Sequence, residues 1–307
     1  MTHGVVFGVA ANVIWGVQPV FWKLFHAVPA MELLMHRIVW SFIMLIVHIF
    51  ATKQWTNFRD AVVHWRTIAI YTLSGALLGV TLYVTVWAIL AGYIVETSLG
   101  YFMLPLVNVL LGVVFLRERL RLWQWIAMAL AFGGVLEVAI VHGAFPWVAL
   151  TLSFSFGFYG LIKKQAPLGA LYGVALELGI FFIPAVIYLL VLEVHNHTAT
   201  MFHCDWWMNL LLVASGLVMV VPLLSFSTAA KLISMTNLGL LQYISPTMQF
   251  GIGVWGYHEP FSTSKLVGFC LVWLGLLIYT AESIVHHRQA NAKTEEDQAY
   301  SAVKEEA

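Results

Sequence analysis

The chain has 307 residues, 61% of them hydrophobic and 10% charged, with a mean hydropathy of +0.86 and zero net charge. A soluble domain carries about 25% charged residues, so the composition excludes a water-covered globule and predicts an all-α integral membrane protein held in a lipid bilayer. Zero net charge leaves no electrostatic footprint for a nucleic-acid partner.

Each apolar run is measured here against the roughly 20 residues that cross a bilayer as a helix. The first spans 4–24; with no basic leader and no small-residue cleavage site before it, it is retained as a helix. After Val28-Pro29 the second spans 31–51, and a polar loop follows over 52–65. The third and fourth, 67–92 and 93–116, are joined by almost no loop and end at the charged turn 117–121. The fifth is 122–141; the sixth, 145–162, stops at Lys163-Lys164; the seventh is 169–192. Beyond the polar loop 193–207 come 208–230, ending before Lys231, then 236–257 and 265–283. The charged stretch 286–307 is too poor in apolar residues to fold and is expected to be a disordered tail. Cys204 and Cys270 sit in different surroundings and imply neither a disulfide framework nor a metal-thiolate site.

The segment around Gly100, Pro105 and Glu118 recurs around Gly239, Pro246 and Glu259, with offsets of 139, 141 and 141 residues. The offset of 141 also takes Gly16 to Gly157, Trp15 to Phe156, Lys23 to Lys164 and Gly134 to Gly275. The chain therefore reads as ten transmembrane helices in two five-helix repeats, 1–141 and 142–285. Five is odd, so the second repeat enters the membrane inverted. This plan recurs in secondary transporters, with the substrate held between the repeats. With the N-terminus inside, twelve Lys and Arg residues lie on the inner side and only Lys23 and Lys265 on the outer. Both termini are expected to be cytoplasmic. Lys163-Lys164 and the turn 117–121 read most simply as topology signals.

Several motifs are specific. Trp15-Gly16, Pro19, Trp22-Lys23, Glu32, His36-Arg37 and Trp40-Ser41 resemble the first two helices of the RarD subfamily of EamA-type permeases, in the drug/metabolite transporter superfamily. Glu96, Ser98–Phe102, Pro105, Gly112 and Arg117–Leu120 resemble its fourth helix. Tyr159-Gly160, Lys163-Lys164, Glu177, Pro222–Leu224, Gly239–Thr247 and Glu259 resemble its second repeat. The resemblance covers 4–279. It implies a multi-pass protein of the bacterial inner membrane that moves small organic solutes. The chain departs from the pattern at Thr81-Leu82, where the family carries Asn-Trp, and at Trp87–Leu90, where it carries Trp-Ala-Val-Asn.

Ionisable side chains at the centre of a spanning helix cost about 2.5–3.5 kcal/mol each on insertion scales, which makes them functional candidates. Within the spans these are His36, Arg37, Glu137 and Glu177, with Glu137 near the outer end of its helix. Glu32, His36 and Trp40 share one helix face, and Arg37 points about 100° away. His36 maps to Glu177 under the repeat, an inverted titratable pair suited to proton coupling. The alternative is that Glu32, His36 and Arg37 pair or snorkel near the outer interface and carry structure. Gln242, Ser245 and Gln249 form a polar stripe, with Tyr101, Leu104 and Asn108 as its counterpart. Asn12, Trp15, Pro19 and Trp22 form a second stripe. Each stripe either faces a solute cavity or packs against a neighbouring helix. Substrate contact is expected at Trp15, Tyr101, Asn108, Gln242, Ser245 and Gln249, and coupling at His36, Arg37 and Glu177. The cluster His195, His197, His203, Cys204 and Asp205 matches no standard metal spacing, and no metal or cofactor is expected.

A secondary transporter of small organic solutes working by alternating access accounts for these features; export and proton coupling are the expected direction and drive, with import and another coupling ion left open by the sequence. Amino acids, metabolites and drugs are the solute classes considered. No phosphate-binding loop is present, which excludes ATP hydrolysis by the chain itself. Two other readings stand beside it: an intramembrane enzyme, for which His258-Glu259-Pro260 is no His-Glu-x-x-His motif, and a non-transporting scaffold or receptor. Monomer and homodimer are both compatible with the sequence.

Overall fold

The computed structural model describes residues 2–25, 28–91, 93–142, 145–196, 200–201, 203–257, 267–268 and 270–282. Among them the chain is helical throughout, with no strand. The helices are α1 (Thr2–Trp22), α2 (Ala30–Ala51), α3 (Trp55–Val62), α4 (Trp65–Leu90), α5 (Ile94–Leu116) and α6 (Leu122–His142). They continue as α7 (Trp147–Gln165), α8 (Ala170–Val191), α9 (Trp206–Leu232), α10 (Met235–Gln242), α11 (Ile244–Gly251) and α12 (Cys270–Glu282). Among the described residues six stretches are long and apolar enough to cross a membrane: His3–Phe25, Ala30–Ala51, Trp65–Ile89, Glu96–Leu116, Ala170–Val194 and Trp206–Leu232. Glu259, the first residues of the last expected span, His197 and the tail 286–307 lie outside the described residues.

Two elements differ from the sequence reading. The polar loop after α2 folds into the short helix α3, anchored by Phe58, which is buried, and by Trp55 stacked on Phe50 at 4.5 Å. The ninth span is not one rod. It breaks at Tyr243 between α10 and α11 and ends in a π-helical turn, Ile252–Gly256. Pro246 explains the break: it has no N–H for the Gln242 carbonyl, and its ring crowds that carbonyl. At the start of α10, the Ser234 hydroxyl caps the helix by accepting from the Asn237 N–H at 3.1 Å.

Two other prolines expose carbonyls that the structure satisfies from a distance. Pro19 deprives the Trp15 carbonyl of its helical donor, and the Gln249 side chain donates to it at 3.1 Å. Pro222 does the same to Val218, whose carbonyl receives the Gln18 side chain at 3.1 Å. In lipid a free carbonyl has no water to turn to. These glutamines therefore tie α11 to α1, and α1 to α9, at chosen heights.

The described residues form two compact units, Met1–Glu118 with Phe145–Pro260, and Arg119–Ala144 with Phe261–Ala307. Each mixes residues from both sequence halves. In the first, α1 packs on α9 and α11, α2 on α8 and α9, α4 on α7 and α8, and α5 on α7 and α10. In the second, a Cβ on Gly134 would lie 2.7 Å from the Gly268 carbonyl oxygen, and one on Gly275 would lie 2.7 Å from that of Ala127. Arg121 and Gln124 both donate to Glu282 in this unit.

In the first unit a close approach that includes backbone lies at Gly216, where an added Cβ would meet Trp40 Cβ at 2.7 Å and the Ser41 backbone nitrogen at 2.8 Å. Ser41 also donates to the Gly216 carbonyl at 2.8 Å. Gly216→Ala is expected to cost about 1–3 kcal/mol by overpacking, read as a lower unfolding temperature in detergent. Gly133→Ala, with nothing within 4 Å of the new methyl, should cost nothing; equal losses at both sites would remove the close-packing account.

Candidate functional site

A cavity of about 520 Å³ opens inside the first unit. Along α1 it is lined by Asn12, Trp15, Gln18, Pro19 and Trp22, and along α2 by residues from Ala30 to Arg37. It thus reaches from the middle of the bundle to the end at which α1 gives way to α2. Its wall is largely apolar, which is usual for a small-molecule site. Its deeper part includes Leu78, Phe156, Leu223 and Gln242.

Six of the nine predicted site residues line this cavity: Trp15, Arg37, Tyr101, Gln242, Ser245 and Gln249. Trp15 meets Phe156 edge-on at 5.8 Å and Phe226 at 5.6 Å. The Tyr101 hydroxyl is 3.3 Å from that of Thr85. Gln249 donates to the Ser245 hydroxyl as well as to Trp15. Arg37 lays its guanidinium over the Trp22 ring, 4.2 Å from the centroid.

The other three sit behind the wall. Asn108 is fully buried and donates to the Gln242 side-chain carbonyl, so it holds Gln242 in place rather than facing the cavity. His36 is buried with its Nε2 3.7 Å from Glu32. Glu32 in turn accepts from the Thr200 backbone N–H and, at 3.0 Å, from its hydroxyl.

Glu177 has a side-chain exposure of 0% and lies in a network that sequence spacing did not disclose. The Lys163 ammonium, 1% exposed, sits 3.1 Å from both carboxylate oxygens. Ser74 donates to Glu177 at 2.6 Å and Tyr159 at 3.3 Å. Tyr71, whose ring lies 5.3 Å from the same ammonium, exchanges hydrogen bonds with both backbone groups of Leu168. Lys163 is therefore no surface topology charge. It stands two residues from the end of α7, and its side chain turns inward because a buried carboxylate awaits it.

Neighbouring ties close the same end of the unit. Lys231 donates to the Ala166 and Leu168 carbonyls, and Lys164 to those of Ala230 and Ile233. Glu118 accepts from the backbone of Met235 and Thr236 and from the Thr236 hydroxyl. None of these residues lines the cavity. Among the described residues no cluster of three or more metal-ligating side chains occurs.

Comparison with known proteins places this geometry. The EamA-like transporter family matches residues 2–140. Protein RarD of Streptomyces exfoliatus is 38% identical over 95% of this chain and 92% of its own length. Protein RarD of Escherichia coli is 38% identical over 94% of this chain and 97% of its own. The chain belongs to the RarD subfamily of EamA-type permeases. It is accordingly a membrane transporter. Uncharacterized transporter YojE of Bacillus subtilis is 36% identical over 94% of the permease and 97% of its own length. A solved crystal structure covers 91% of the permease and 97% of its own chain with a TM-score of 0.66 at 16% identity, a likeness of fold alone.

Sequence reasoning missed Ser74, Tyr159 and the inward turn of Lys163. The spacing of 14 residues between Lys163 and Glu177 carries no information about their contact, because a chain reversal at Ala166–Gly169 puts them on different helices. Lys163→Met should lose on the order of 3–5 kcal/mol, since it strands a buried carboxylate. The pair Lys163→Met with Glu177→Leu should recover most of that loss in unfolding measurements in detergent. Equal destabilisation by the single and double substitutions would show that the two charges do not stabilise each other.

Proposed function

We propose that the permease is a secondary active exporter of small organic solutes, working by alternating access in the bacterial inner membrane. The observation that carries this reading is the asymmetry of the first unit. A cavity reaches one end of the helices, while a buried ion pair and its surrounding ties fill the other. On the Lys/Arg count the cavity end is periplasmic and the tied end cytoplasmic.

Ten spans in two inverted repeats are supported by packing that exchanges under the 141-residue offset. The offset relates α1 to α7, α2 to α8, α4 to α9 and α5 to the α10–α11 segment. It then turns the α5–α7 contact into α11 with α1, the α4–α7 contact into α9 with α1, and the α2–α9 contact into α8 with α4. The paired glycine approaches in the second unit follow the same rule, since Ala127 and Gly268 are themselves 141 apart. A wall shared by two inverted halves is where transporters of this plan hold substrate.

Proton coupling is assigned to the Lys163–Glu177 pair, with Ser74 and Tyr159 as its hydrogen-bonding shell. A proton on Glu177 would remove the attraction that closes this end. For export driven by the proton gradient, solute would leave to the periplasm, a proton would enter from that same side to reach Glu177, and its release to the cytoplasm would let the ion pair re-form and reset the same helices.

The test is flux in proteoliposomes with neutral, anionic and zwitterionic radiolabelled aromatic solutes under an imposed pH gradient. Accumulation of at least one should exceed that in protein-free vesicles and should disappear in Ser245→Trp, which fills the cavity. Glu177→Gln should keep downhill exchange and lose uphill accumulation. No flux above the protein-free control would sink the transporter mechanism, and uphill flux retained in Glu177→Gln would sink the coupling assignment.

Orientation has its own check. Cys204 precedes α9 at the proposed periplasmic end. It should react with an impermeant maleimide in intact spheroplasts, and faster at alkaline pH, because burial, then the nearby Asp205 and Glu32, raise its thiol pKa. Labelling only after lysis would invert the topology.

A further inference from the structure

Among the described residues the cavity wall carries one formal charge, and no ion pair is formed by it. Arg37 lines the wall with its guanidinium face on Trp22. Its Nε is buried and has no hydrogen-bond partner, and no ion pair reaches it among the described residues. Glu32, the nearest carboxylate in sequence, is occupied by Thr200 and His36. No Asp or Glu lines the cavity among the described residues. A cation kept in a largely apolar cavity without a counter-charge is a standing demand for an anion.

The geometry says which kind. A guanidinium donates in its own plane, through a fork of N–H groups that matches a carboxylate with two parallel hydrogen bonds. The guanidinium carbon lies over the Trp22 ring, and among the described residues the buried Nε has no hydrogen-bond partner. Farther along the wall, Trp15 and Phe156 present aromatic surface. At the deeper end the polar groups are neutral. Asn12 Oδ1 and Gln242 Nε2 are buried without partners in residues that border the cavity. Asn12 lies ten residues from Trp22 along α1, roughly 15 Å at 1.5 Å per residue. Nothing described here would neutralise an ammonium group.

We infer that this cavity selects a monoanionic solute, a carboxylate held by Arg37 with an aromatic or aliphatic body against Trp15 and Phe156. A cation or a zwitterion of the same shape is disfavoured. This deepens the exporter reading and rests on the cavity being its substrate site. It also moves Arg37 from coupling to recognition.

The experiment compares four indoles of similar bulk by equilibrium binding and thermal shift on the purified permease: indole-3-acetate, indole-3-acetamide, tryptamine and tryptophan. Indole-3-acetate should bind about tenfold more tightly than the acetamide, the scale of a charge-assisted bidentate contact. Tryptophan should bind more weakly than the acetate, and tryptamine should not bind. Arg37→Gln should abolish the preference for the acetate over the acetamide, with the fold certified by an unchanged unfolding temperature in detergent. Arg37→Lys should keep part of the preference, since charge remains and the planar fork is lost. Equal affinity for acetate and acetamide in the unsubstituted protein would overturn the anion class and leave the cavity reading standing. A preference that survives Arg37→Gln would remove Arg37 from recognition. Binding of none of the four would overturn the proposal and the cavity's role in transport together.

Discussion

Lipid gives a polar group nothing to bond to, and this structure is arranged around that constraint. Its effect is plainest where the helices are interrupted. Pro19 and Pro222 each release a carbonyl, and each carbonyl is met by a glutamine from a different helix. A soluble protein would leave such carbonyls to water. Here they become fixed points between helices, and Gln18 and Gln249 serve as connectors while also lining the cavity. A solute that displaces either side chain must replace its hydrogen bond. With the cavity as the proposed substrate site, substrate binding and helix packing would be linked through the same atoms.

The same constraint separates the two ends of the first unit. Lys163 and Glu177 are both withdrawn from solvent, and each is tolerable there only because of the other. Ser74 and Tyr159 fill further hydrogen-bonding positions on the carboxylate. Such a pair is weak evidence for stability, because removing both charges often costs little. Its value lies in being two-state: intact, it demands close approach of its helices; broken, it cannot remain dry. Arg37 is the opposite case, a cation whose partner is not among the described residues.

Much of this was legible in the sequence, and the reason is periodicity. Spanning helices announce themselves by length and apolar composition, so the long helices follow the expected runs closely. Trp15, Tyr101, Gln242, Ser245 and Gln249 were legible because helical spacing places them on stripes, and stripes of polar or aromatic side chains need something to face. The break of the ninth span was implicit in Pro246 yet not read, because proline fixes where a helix is weakened without saying whether it bends or breaks. Lys163 and Asn108 were misplaced for a different reason. Spacing along one helix gives a direction around its axis and no knowledge of what lies opposite. Lys163 looks like a topology charge until Glu177 is seen on the helix beyond the reversal. Asn108 looks like a substrate contact until Gln242 is seen between it and the cavity.

The proposed duplication sharpens what the two ends can do. Under the 141-residue offset the counterpart of Glu177 is His36, and that of Lys163 is Trp22. The ion pair that ties one end therefore has no ionic equivalent at the other. In its place stand an imidazole beside Glu32 and an indole beneath Arg37. Two inverted halves of identical chemistry would close either end with the same energy, and the cycle would have no intrinsic bias. On the proposed reading, divergence at these two positions would give each end its own lock: one held by a buried charge pair that a proton would dissolve, the other by an aromatic surface and a cation that an anionic solute would engage. In that proposed cycle a solute leaving the cavity would strip Arg37 of its partner, while a proton reaching Glu177 would strip Lys163 of its own. Each event uncovers a buried cation, and that common cost is what would couple the two ends of the same helices.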